Sequence, residues 1–115
     1  MIYHYIQITT TIDSEKTAKK LATILIKSKL AACIQIIGPI TSIYEWHNRV
    51  ETTKEWQCII KTKAPLYPYI EQLLIKHHPY DVPEIIATPI INGHDAYLEW
   101  VDTSVVHPES GPLYT

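Results

Sequence analysis

Residues 31–63 read AACIQIIGPITSIYEWHNRVETTKEWQCIIKTK, and this stretch decides the fold. Ile, Val, Thr, Tyr and Trp fill it on both sides of His47-Asn48-Arg49. That places a hairpin tip at its centre, Asn48 being one of the few residue types besides Gly that tolerate a left-handed backbone. The first arm spans residues 31–46 and the second residues 50–63. Gly38-Pro39 interrupts the first arm, and Pro39 has no N–H to give a ladder, so a bulge or bend is expected there. Arms of about 15 residues far exceed the usual strand of ~5–6. They overhang any sheet a chain of this size builds, and edges that long are ordinarily paired or protected.

Upstream, residues 2–11 alternate Ile2, His4, Ile6, Ile8 against Tyr3, Tyr5, Gln7, Thr9, a strand pattern apolar enough on both faces for a central position. Asp13 or Ser14 then offers an N-cap, Glu15 suits the first turn, and Ala18, Leu21, Ala22 and Leu25 recur at helical spacing over residues 14–28. Downstream, Pro65 opens a second helix carrying Leu66, Ile70, Leu73 and Leu74 and ending near His77. Pro79 and Pro83 bracket an extended loop, residues 84–91 read as a fourth strand, and Asn92-Gly93 turns into a last helix holding Ala96, Tyr97, Trp100 and Val101. The order β-α-β-β-α-β plus a helix is the ferredoxin-like α+β arrangement, with an antiparallel sheet and a long central hairpin. Residues 1–106 form its single domain. Residues 107–115, with Pro108, Gly111 and Pro112, read as a loose tail. Two helices cover one sheet face. The other still carries Ile and Trp, and no further layer is available, so self-association is its natural cover.

Composition narrows the function. A chain of 115 residues that is 46% hydrophobic with a net charge of −2 is one folded domain. It is not a nucleic-acid binder, because phosphate neutralisation needs clustered Lys and Arg, and Arg49 stands among dispersed lysines. Cys33 and Cys58 sit in apolar segments and read as reduced core residues rather than a disulfide framework. With no signal-like start and no stretch of ~20 apolar residues, a cytoplasmic protein without membrane contact is expected.

Three groups of residues could carry chemistry. Adjacent His77 and His78 invite a metal, imidazole being a common ligand. Adjacent side chains diverge, however, and Pro79 bends His78 away from helical geometry, so the alternative is a polar helix end. Tyr80, Asp81 and Glu84 lie on the proline-stiffened loop beside His78, where a carboxylate and an imidazole could do acid–base work or bind a cation. Cys33 has no basic sequence neighbour to lower its pKa. Trp46, Trp56 and Trp100 are core or interface anchors, and the RNA-stacking strands and Gly-rich phosphate loops that would redirect the fold are missing.

Leu30-Ala31-Ala32-Cys33, Ser42-Ile43-Tyr44-Glu45-Trp46, Lys61-Thr62-Lys63, His78-Pro79-Tyr80-Asp81-Val82-Pro83-Glu84 and Tyr97-Leu98-Glu99-Trp100 together resemble the CutA family of divalent-cation tolerance proteins. The resemblance spans about residues 3 to 103. It implies a homotrimer whose long hairpins pair between subunits, and a role in tolerance of copper or another divalent cation, with no catalysed reaction. It also implies that Cys33, Trp46, Lys61, Tyr80 and Glu84 approach one another in a cleft between subunits, and that His77 and His78 match a copper site. Two departures stand out. Asn48 replaces a typical Gly, and Thr9 stands where copper-binding members carry a Cys, a hydroxyl being a poor substitute for a soft thiolate. Rivals are a trimeric small-molecule sensor like the PII-type proteins, a hydrolase or isomerase using His78, Asp81 and Glu84, and a pure scaffold.

Overall fold

The computed structural model describes residues 3–108. Ile6, Ile8 and Ile12 occupy alternate or near-alternate positions of β1 (Tyr5–Ile12) and are all buried. They face α1 (Glu15–Lys27), whose Ala18, Leu21 and Leu25 form its inner stripe. Ser14 is the N-cap, its hydroxyl accepting from Thr17 N–H at 3.2 Å, while Glu15 and Lys27 complement the helix dipole at the two ends. Cys58, Ile60, Leu66, Ile70 and Leu74 complete the core. Each such aliphatic side chain stabilises the fold by about 1.5–3 kcal/mol through the surface it removes from water.

The hairpin arms are β2 (Cys33–Trp46) and β3 (Arg49–Lys63), joined by a two-residue turn in which His47 and Asn48 have φ of 52° and 65°. Two consecutive positive φ values are the mark of the tight hairpin turn whose twist matches its strands. The expected bulge is present as a register shift between Ile37 and Ile40. Gly38 is needed there because an added Cβ would collide with the Trp56 indole. A 3₁₀ turn (Ala64–Leu66) containing Pro65 precedes α2 (Tyr67–His77). Then follow β4 (Ile85–Pro89) and α3 (Asp95–Ser104). The sheet order is β2-β3-β1-β4 with every pairing antiparallel, which is the ferredoxin-like arrangement.

Alternation along β3 separates the two faces. Trp56, Cys58, Ile60 and Thr62 turn to α1 and α2, while Glu55, Gln57, Ile59, Lys61 and Lys63 turn the other way. At the Lys63 end α3 lies over that second face, where Lys63 Nζ meets Asp102 Oδ1 at 3.0 Å. The packing continues past the expected domain boundary at residue 106. Val106 N–H donates to Lys29 O at 2.9 Å, Lys63 Nζ donates to His107 Nδ1 at 2.8 Å, and Pro108 is fully buried. His107 and Pro108 therefore belong to the folded domain. The rest of the expected tail lies outside the described residues, as does Ile2. Elsewhere on this face cover is thin, Ile37 and Ile86 being about half exposed, and on the opposite side of the ribbon near the hairpin tip Ile43 and Val50 are 68% and 77% exposed.

Candidate functional site

The loop between α2 and β4 is held against the end of β1 by one imidazole. His78 is buried. Its Nε2–H donates to the Thr11 carbonyl at 2.9 Å, and its Nδ1 accepts from the Tyr80 backbone N–H at 3.2 Å. A carbonyl faces Nε2 and an amide N–H faces Nδ1, so Nε2 donates and Nδ1 accepts. Pro79 forces the extended backbone (ψ 136°) that ends the helix at His78 and turns the ring inward. The ring also meets Tyr80 edge-on, centroids 4.7 Å apart.

Tyr80 passes this order on to the hairpin. Its hydroxyl donates to Glu55 Oε2 at 2.8 Å. Burial first, then this hydrogen bond and the charges of Glu55 and Asp13, push the Tyr80 phenol well above its ordinary value, so it remains a donor. Above these contacts opens a cavity of about 570 Å³ between loop and hairpin. Tyr44, Trp46, Glu55, Tyr80, Asp81 and Glu84 line it, with Thr11, Ser42, Ile43 and Val82.

Of the five residues of the expected cleft, the protomer thus unites three: Trp46, Tyr80 and Glu84. Cys33 and Lys61 lie elsewhere, as direct register partners at the base of the hairpin. Lys61 Nζ donates to Gln35 Oε1 at 2.6 Å, and Tyr97 of α3 sits close enough for the Cys33 thiol, after burial, to hold its phenol above the ordinary value. Trp46 lies thirteen steps along β2 from Cys33, about 40 Å at ~3.3 Å per residue. Within one chain Trp46 cannot share a cleft with Cys33 and Lys61.

Glu55 was not singled out in the sequence, where Lys54-Glu55-Trp56 reads as an ordinary strand segment. The available signal was alternation: Glu55 shares a face with Gln57, Ile59 and Lys61, and becomes buried once the loop folds over it.

The paired histidines do not make a metal site in the protomer. Both ring nitrogens of His78 are engaged, leaving no lone pair for an ion, while His77 is exposed in the last turn of α2. Among the described residues, no three His, Cys, Asp or Glu side chains gather as metal ligands. Thr9 adds only a hydroxyl. The donor set does not fit a copper site of the kind the resemblance implied.

These features define a ferredoxin-like α+β domain whose cavity lies beneath its overhanging hairpin. Sequence comparison agrees: the family profile described as CutA1 divalent ion tolerance protein matches residues 6–104. The chain belongs to the CutA1 divalent ion tolerance family. It is 43% identical over 94 residues to a chloroplastic CutA protein of Arabidopsis thaliana, covering 82% of this chain and 52% of that one. It is 38% identical over 91 residues to the divalent-cation tolerance protein CutA of Thermus thermophilus, covering 79% and 88% respectively. The chain spans about half the length of its plant and mammalian relatives. The crystal structure of CutA1 from the psychrotrophic bacterium Shewanella sp. SIB1, described as a stable protein, superimposes with a TM-score of 0.89 at 43% identity, over 91% of this chain and 98% of that one. Among the described residues no helix is long and apolar enough to cross a membrane.

Proposed function

We propose that this chain acts as a homotrimer in tolerance of divalent metal ions, without catalysing a reaction, through clefts assembled from neighbouring subunits. The observation that carries this reading is the position of Trp46, thirteen steps and about 40 Å along β2 from Cys33 and its register partner Lys61. A cyclic head-to-tail assembly brings the hairpin tip of one copy to the hairpin base of the next and unites the five residues. It also covers Ile43 and Val50. Contact with copper or another divalent cation falls to the exposed His77, three copies of which a trimer presents, and is weak because His78 and Thr9 withhold stronger donors. The free thiols Cys33 and Cys58 suit a reducing compartment such as the cytoplasm. Calorimetric titration with copper and zinc tests the metal arm. We expect weak uptake that His77→Ala abolishes, and identical uptake in wild type and variant removes the histidine from the reading.

The cavity favours a second reading, a PII-like sensor that takes a small molecule between subunits. Its volume falls within the ~300–1,000 Å³ usual for small-ligand sites. Titration with nucleotides against metals separates the two: nucleotide binding without metal binding favours the sensor.

A further inference from the structure

Glu55 is a buried carboxylate without a counter-charge. Its side chain belongs to a residue only 6% exposed. The Tyr80 hydroxyl satisfies Oε2, while Oε1 has no partner among the described residues, and no Lys, Arg or His forms an ion pair with it there. Oε1 therefore opens into the cavity, where it is free to accept from a donor that enters. Glu55 lines the cavity, as do the exposed carboxylates of Asp81 and Glu84, and among the described residues no basic side chain lines it. A bare metal ion does not fit in that donor's place, since among the described residues no three ligating side chains converge. The walls point elsewhere: Trp46, Tyr44 and Tyr80 present aromatic rings, whose faces attract organic cations.

We propose that the cavity is an ammonium site, in which an alkylammonium group donates to Glu55 Oε1 while its methylene chain lies against Trp46 and Tyr44. Asp81 and Glu84 at the rim add attraction at longer range. The group has two sources, a free aliphatic amine or the Lys61 side chain of a second copy. The second source rests on the trimer proposed above; the first does not.

Calorimetric titration with 1,5-diaminopentane, and with 1,5-pentanediol as its uncharged counterpart, tests the site in wild type, Glu55→Gln, Lys61→Met and the double variant, with sedimentation run in parallel. A free-amine site gives binding of the diamine but not the diol in wild type, weakened roughly ten-fold or more by Glu55→Gln, as expected for loss of a charged hydrogen bond. A site filled by the neighbour's lysine gives no binding in wild type, binding in Lys61→Met, and none in the double variant. Trp46→Leu, on an exposed strand, provides a second weakening variant should Glu55→Gln fold poorly. The proposal is overturned if the diamine binds neither wild type nor Lys61→Met, if Glu55→Gln and Trp46→Leu leave binding unchanged, or if the diol binds as well. Diamine binding by a species that sediments as a monomer upholds the ammonium site and removes the trimer.

Discussion

The base and the outer half of the β2–β3 hairpin share one backbone ladder but not one environment. At the base, Cys58 and Ile60 are nearly inaccessible, sealed by α1 and α2. Beyond the bulge, the ladder runs on from Ile40↔Glu55 to Trp46↔Arg49, yet Ile43, Tyr44, Trp46 and Val50 are all exposed. Backbone hydrogen bonds alone make a two-stranded ribbon only marginally stable in water. The base is held by its own chain, and the proposed assembly supplies the outer half with a neighbour.

Changes at the base are expected to have the largest effects. Ile60→Ala or Leu25→Ala leaves a cavity in a sealed core and should cost about 2–5 kcal/mol in denaturant unfolding. A cost below about 1 kcal/mol would mean the core is looser than its burial implies. Gly38→Ala, at the junction, drives a methyl group into Trp56 and should cost about 1–3 kcal/mol. Near-UV circular dichroism should report the displaced indole.

The outer half answers differently. In an isolated subunit Ile43→Ser with Val50→Ser changes two mostly exposed side chains and should cost under about 0.5 kcal/mol at each position. In a trimer the same pair should lower the assembled fraction on dilution, measured by size-exclusion chromatography with light scattering. An unchanged mass would place these residues outside any interface.

The smallest effect concerns Cys58. Burial raises its thiol to about 11 from an ordinary 9.0. The folded state favours the protonated thiol, so this contribution is complete below about pH 9 and is lost as pH rises toward 11. At neutral pH the half-buried Cys33 should take an alkylating reagent well before Cys58. Faster reaction at Cys58 would show that the base opens.

What the sequence made legible follows the same division. Asn48 and Pro39 announced the turn and the bulge because each acts on its own backbone, and Asp13-Ser14 announced the helix start for the same reason, the structure choosing Ser14 as the cap. The antiparallel order followed from the succession of elements. Sites built by contacts distant in sequence were less visible. Adjacency drew His77 and His78 together, although His78 spends both nitrogens on Thr11 and Tyr80, 67 positions upstream and two downstream. Glu55 gains significance only from Tyr80, 25 residues away. His107 looked like tail because its partner, Lys63, is 44 residues distant.

The central claim is that the outer hairpin is completed by other copies of the chain, and sedimentation velocity combined with thermal unfolding over a hundred-fold dilution tests it most directly. The account predicts three chain masses at micromolar concentration and an unfolding midpoint that rises with protein concentration. A single chain mass with a midpoint independent of concentration would contradict it.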